Sequence, residues 1–207
     1  MSLEQEIKLI VTQQAAIDLS TISWLTALSQ AEPKQLHLVS TYFDTPDRAL
    51  MKSGVGLRLR QVDQQWLQTV KCSGDVANGL HQRKEWEHTL DGPAFDLALL
   101  QQTELAPLVA NKMIWSAVEP VFTTDFERTV MPLRLEDGSE VELAYDRGEI
   151  RAGQHKALIH EVELELKQGE LKKMLELAQS LQAALPLQYS DISKAKQGYA
   201  LSQAVEK

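Results

Sequence analysis

Glu4-Gln5-Glu6-Ile7-Lys8, running on through Leu9 to Val11, is the stretch on which the fold turns. In an extended strand successive side chains point to opposite faces. Glu4, Glu6 and Lys8 therefore share one face, and Ile7, Leu9 and Val11 the other. The apolar face is explained by packing beneath helices. The charged face is not, because two carboxylates at strand spacing repel each other unless a cation lies between them. Taken alone, E-x-E-x-K reads as the solvated side of an ordinary strand. Its meaning depends on whether other strands repeat the pattern.

They do. Over residues 57–62, Arg58 and Arg60 share a face opposite Leu57 and Leu59. Thr69 and Lys71 pair on 66–71, while Arg83, Glu85 and Glu87 align on 82–90 with Lys84 and Trp86 facing away. Arg128 belongs with Phe126 and Val130 on 121–135, and Glu142 and Asp146 flank Ala144 on 140–146. The last long strand, 157–167, sets Glu161, Glu163 and Glu165 against Val162, Leu164 and Leu166. Two arrangements satisfy this set. An open sheet would put helices on the apolar faces and leave the charges in water. A closed barrel would turn the charges into its lumen and carry the helices outside. Periodicity does not choose between them.

The connecting sequence predicts a helix within 15–28 from its apolar stripe, ended near Pro33. Turns are expected at 44–47, 63–65, 136–139 and at Arg147-Gly148, with a flexible loop over 74–79. Pro132 suggests a bend or break in its strand. Short helices are expected at 95–100 and within 107–118. A longer one over 169–185 is stopped by Pro186, and a last one begins near Ser193. Helices bracket the strands rather than alternate with them, so the fold class is α+β. With no linker, repeat or low-complexity tract, residues 1–207 are expected to form a single domain.

A net charge of -8, with 43% hydrophobic and 24% charged residues, fits a soluble globular chain and argues against a nucleic-acid partner. It leaves room for a small anion held by a local cluster of Lys and Arg. Cys72 is the single cysteine, so no internal disulfide forms and a reducing compartment is expected. No apolar run approaches the ~20 residues of a membrane span, and no secretory signal is evident. A cytoplasmic location without membrane association is the expectation.

Several motifs in order resemble one family. Glu4-x-Glu6-x-Lys8, Tyr42-Phe43-Asp44-Thr45-Pro46, Gly56-Leu57-Arg58-Leu59-Arg60 and Glu161-x-Glu163-x-Glu165 resemble the CYTH proteins, also called triphosphate tunnel metalloenzymes. Gly79-Leu80-His81-Gln82-Arg83 and Ser193-Lys194-Ala195-Lys196-Gln197-Gly198-Tyr199 are similar to bacterial inorganic triphosphatases of that family. The resemblance implies a closed eight-stranded antiparallel β-barrel whose lumen takes a small-molecule triphosphate, with Mg²⁺ or Mn²⁺ as cofactor. It assigns the phosphates to Lys8, Arg58, Arg60, Lys71, Arg83, Arg128 and Lys194. It assigns metal to Glu4, Glu6, Asp146, Glu161, Glu163 and Glu165, and catalysis to Glu4, Glu6, Lys8 and Glu85.

The implied activity is hydrolysis of inorganic triphosphate to pyrophosphate and phosphate. The alternatives are a thiamine triphosphatase, an adenylyl cyclase, or a module that binds polyphosphate or nucleotide without turnover. Phosphoryl transfer asks for positioning and charge stabilisation rather than a protein nucleophile, so Cys72 is given no role. The histidines lack zinc-ligand spacing and are expected to be structural or solvated. Gly54-Val55-Gly56 leads into a strand, and no G-x-x-x-x-G-K-[ST] is present, which excludes a P-loop.

Overall fold

The computed structural model describes residues 2–203. Strand β1 (Ser2–Val11) is followed by a 3-10 turn (Leu19–Thr21) and helix α1 (Ser23–Leu28). Next come β2 (Lys34–Asp44), α2 (Ala49–Lys52), β3 (Val55–Val62), β4 (Gln65–Cys72), β5 (Asp75–Ala77) and β6 (Leu80–Leu90). Three short helices follow, α3 (Leu97–Leu100), α4 (Ala106–Ala110) and α5 (Lys112–Trp115). The long strands β7 (Glu119–Arg134), β8 (Glu140–Ala152) and β9 (His155–Gln168) then lead to α6 (Leu171–Ala184), β10 (Leu187–Tyr189) and α7 (Lys194–Gln203).

All strand pairings are antiparallel, in the order β10-β1-β9-β8-β7-β2-β3-β4-β6-β5. Because β1 also pairs with β6, eight strands close into a barrel, with β5 and β10 as additions. Closure settles which face is inside. Ile7, Leu9, Val162, Leu164, Leu143 and Leu133 point outward into a cluster with Leu25 of α1 and Met174, Ala178 and Leu181 of α6. On another side Leu57 and Val70 pack under Leu100 and Val109 of α3 and α4. The charged faces are therefore interior, and Glu4, Glu6, Lys8, Arg58, Arg60, Asp146, Glu161 and Glu163 are all buried. A third apolar cluster joins Leu38, Tyr42, Phe122, Phe126, Ile150 and Ile159 to Tyr199 of α7. These strand residues stand in phase with the lumen charges, so α7 packs on the lumen-facing side chains at one end of the barrel.

Local expectations change in four places. Arg147-Gly148 is not a turn, because β8 runs on to Ala152 and reverses at Gly153 (φ 54°). Gly148 is there for close approach, since a Cβ would lie 2.2 Å from the Asp125 carbonyl oxygen. Pro132 does not break β7, which runs uninterrupted from Glu119 to Arg134. Its carbonyl accepts from the Gln30 N–H on the β2 side, beyond the first β2 pair at Lys34 and Val130, so the missing N–H removes no bond to β2 or β8. The helix expected within 15–28 shrinks to Ser23–Leu28, because Asp18 caps the separate 3-10 turn and Ile22 is extended. Within 74–79, β5 pairs back on β6 through Asn78-Gly79, both at positive φ (51° and 79°), as a two-residue hairpin turn requires.

Candidate active site

The lumen charges gather in two linked clusters and a third, under-partnered patch. In the first, β1, β8 and β9 face the start of α7. Lys8 Nζ donates to Glu161 Oε1 at 2.5 Å and lies 3.0 Å from Glu163. Lys194, the first residue of α7, reaches Asp146 at 2.6 Å, Glu163 at 2.8 Å and also Glu161. Arg128 grips both oxygens of Asp146 at 2.7 Å and touches Glu163 at 2.5 Å. Burial opposes the ionised form of Glu163, yet Lys194, Lys8 and Arg128 hold its carboxyl well below the usual range. Asp146 is lowered against the same penalty by Lys194 and Arg128. Asp146, Glu161 and Glu163 each offer an oxygen within 4.8 Å of the others.

The second cluster spans β1, β4 and β6. Glu4 accepts from Lys71 at 2.7 Å and from Arg83 Nε at 2.5 Å, and Lys71 lies 3.0 Å from Glu85. Desolvation would raise the Glu4 carboxyl, but Lys71 and Arg83 override it and bring it down. Arg58 stands 3.8 Å from Glu85 and 3.6 Å from Glu87. Glu6 lies between the clusters, 3.9 Å from the Arg83 guanidinium. Burial, then Glu163 and Glu4, push its carboxyl up to about 7.

The third patch is short of acceptors. Arg60 donates to Ser40 Oγ at 2.8 Å, and among the described residues no carboxylate forms an ion pair with it. Burial, with Arg58 and Arg128 nearby, lowers its guanidinium to about 9. Arg58 Nε and Thr124 Oγ1 are buried without a hydrogen-bond partner. The register sets Arg60, Ser40 and Thr124 side by side on three adjacent strands. Phe126 lies 5.1 to 6.0 Å from Lys194, Arg128 and Arg60, so its ring face meets several cations.

All seven cations expected to hold phosphate thus line one lumen. Of the acids expected to hold metal, Asp146, Glu161 and Glu163 converge, whereas Glu4 and Glu6 sit toward the second cluster. Glu165 pairs with Glu6 in register but is bonded at 2.8 Å to the half-exposed Lys167, apart from the acid cluster. An all-oxygen donor set suits a hard divalent cation, and the position where such an ion would bind is bridged by Lys8 and Lys194. The residues fit a metal.

Sequence reasoning passed over Ser40 and Thr124, whose uncharged side chains give no signal beyond a period of two, and read Tyr42 only as part of a motif, with no role in the site. Asp44 proves to be an anchor. Its carboxylate accepts from the backbone N–H of Thr45, Leu50 and Met51, capping α2, and from Tyr199 Oη at 3.0 Å.

The CYTH domain profile matches residues 2–199. An inorganic triphosphatase of Haemophilus influenzae is 35% identical over 199 residues, which cover 96% of this chain and 54% of the relative. The chain thus spans about half the length of the curated relative it matches. A Hippeastrum protein, described as an adenylyl cyclase candidate with a dominant triphosphatase activity, aligns with a TM-score of 0.66 at 20% identity, over 98% of this chain and 96% of that one. A Bacillus halodurans protein described as an adenylate cyclase candidate aligns with a TM-score of 0.52 at 18% identity, over 95% and 98%. At these identities the two structures speak to the fold alone. No helix among the described residues is long and apolar enough to cross a membrane.

Proposed function

The chain belongs to the CYTH domain family, and on that premise we propose that its lumen hydrolyses inorganic triphosphate to pyrophosphate and phosphate with Mg²⁺ or Mn²⁺. The observation that carries this reading is the third patch. Among the described residues, Arg60 is buried with a hydroxyl as its one hydrogen-bond partner, and the Arg58 Nε beside it has none. Buried donors without acceptors are costly unless a ligand supplies the acceptors. A phosphate chain does so, and the guanidinium fork matches its oxygens. The Haemophilus relative, named an inorganic triphosphatase, supports the same substrate class.

In this mechanism Arg58 and Arg60 hold one end of the anion, and Lys71 and Arg83 steady its middle. Lys8, Arg128 and Lys194 face the acid cluster and neutralise charge that builds on the phosphoryl oxygens, the main demand of phosphoryl transfer. Asp146, Glu161 and Glu163 are the residues that would hold the cation, with Glu4 and Glu6 alongside. When bound, a divalent ion supplies Lewis-acid stabilisation of phosphoryl oxygens. Glu85, fixed by Lys71, orients water at the opposite side of the lumen.

Phosphate release from triphosphate, ATP and thiamine triphosphate, with and without each metal, tests the reading. We expect turnover of triphosphate with metal. Arg58→Ala should lose roughly 10- to 100-fold in affinity and turnover, the scale of a hydrogen bond to a charged group, with no rescue by added metal. Glu161→Gln should lose turnover and regain part of it at high metal. Tight triphosphate binding without turnover of any substrate would instead make this a binding module.

A further inference from the structure

Lys194 reaches the acid cluster from a helix whose approach is fixed by an unusual seam. At Lys8, β1 changes partner from β6 to β10, and the Lys8 peptide bridges the change. Its N–H donates to the Gly79 carbonyl at 2.8 Å, and its carbonyl accepts from the Ser190 N–H at 3.0 Å. Two side chains stitch the same seam. Asp191 Oδ1 accepts from the Gly79 N–H at 2.6 Å, and His81 Nε2 donates to the Ser190 carbonyl at 3.1 Å. That carbonyl can only accept, so Nε2 carries the proton. Gly79 is required by space as well as by its positive φ, because a Cβ would lie 2.7 Å from the Tyr189 ring and 2.9 Å from the Lys8 carbonyl oxygen. Ser193 then caps α7 by accepting from the Lys196 N–H at 3.1 Å, which makes Lys194 the first helical residue. Only two residues, Ile192 and Ser193, separate Asp191 from Lys194.

We propose that His81 and Asp191 are positioning residues that act through Lys194, holding its ammonium against Asp146, Glu161 and Glu163. This rests on the triphosphatase reading above. The geometry of the lead-in is its ground. Each bond anchors residue 190 or 191 to the β5–β6 hairpin, whose β6 arm is part of the barrel wall. Release of either bond frees the segment that sets where α7 begins, whereas the wall itself keeps its strand pairings. An ammonium displaced by about 1 Å from its working position costs on the order of 100-fold in rate. His81 also shares the lumen face with Glu6, its partner in register, and is buried there. Its place in the Gly79-to-Arg83 motif is thereby given a physical reason.

A double-mutant cycle tests this. Hydrolysis constants, melting temperature and metal-free triphosphate affinity by calorimetry are measured for wild type, Asp191→Ala, Asp191→Asn, Lys194→Ala and the Asp191→Ala/Lys194→Ala pair. Asp191→Ala should lower kcat roughly 10- to 100-fold with a smaller change in KM. Asp191→Asn keeps an acceptor for the Gly79 N–H and should recover most of the loss. With Lys194 already Ala, removing Asp191 should change kcat and affinity little, because effects through a shared partner are not additive. Should Asp191→Ala fail to fold, His81→Ala and the donor-retaining His81→Gln run the same cycle. Full additivity, or no recovery in the conservative variants, overturns the positioning role while leaving the triphosphatase reading intact. A wild type that neither binds nor hydrolyses triphosphate overturns both.

Discussion

Glu6 shows how a single lumen residue couples the site to stability. Its carboxyl is buried beside Glu163 and Glu4 and titrates near 7, against 4.5 for an ordinary glutamate. Between those values the folded chain holds a proton that the unfolded chain has released. Stability attributable to Glu6 therefore falls as pH rises through that window. At about 1.4 kcal/mol per pH unit of separation, the loss is on the order of 3 kcal/mol by pH 8. Glu6→Gln keeps the volume and removes the charge. In metal-free protein it should melt several degrees above wild type at pH 8, and the gap should close as the pH approaches 4.5. Equal melting at pH 8 would mean that Glu6 is not an acid held among acids.

Among the elements, α7 is the one whose sequence argues against itself. Gly198 sits inside a helix, where alanine would ordinarily be better by about 1 kcal/mol. Here a Cβ would fall 2.1 Å from the Phe122 ring. That ring packs edge-on against Tyr199 at 5.2 Å and stacks on Tyr42 at 4.5 Å, so it has little room to yield. Gly198→Ala should therefore destabilise by about 1–3 kcal/mol, the usual cost of overpacking, and lower activity by shifting Lys194. Combining it with Phe122→Leu should recover part of the stability in a thermal melt. A stabilised Gly198→Ala would show that helix propensity outweighs the contact.

For the whole molecule, the barrel concentrates opposite charges inside a chain of net charge -8. Like charges 4 Å apart repel by roughly 4 kcal/mol at an effective dielectric near 20. The carboxylates offset part of this for the lumen cations, least for Arg60, which among the described residues forms no ion pair with a carboxylate. A bound anion should relieve it. Triphosphate at about 100 times its dissociation constant should stabilise the fold by about 2.7 kcal/mol, read as a rise of roughly 5 to 10 °C in Tm. Arg60→Ala should shrink that rise. An unmoved melt at saturating triphosphate and metal would count against an anion-binding lumen.

The period-two pattern of Glu4-x-Glu6-x-Lys8, Arg58-x-Arg60 and Glu161-x-Glu163-x-Glu165 was enough to specify strands with one apolar and one charged face, because side-chain alternation is a local property of extended backbone. Hydrophobic spacing likewise made α6 legible, and the ordered motifs disclosed the family. The same local rules misread Gly148 and Pro132, where a glycine answers a close strand approach and a proline faces a place its neighbour has left. Whether the charged faces met water or one another was decided by the β1–β6 pairing, a contact between residues about 80 apart in sequence that no local period encodes. The convergence of Asp146, Glu161 and Glu163 on Lys8 and Lys194, and the seam that sets Lys194 there, likewise depend on register between distant strands. Tertiary structure alone fixes such registers, because a strand's pattern says which side chains share a face and not which strand lies beside them.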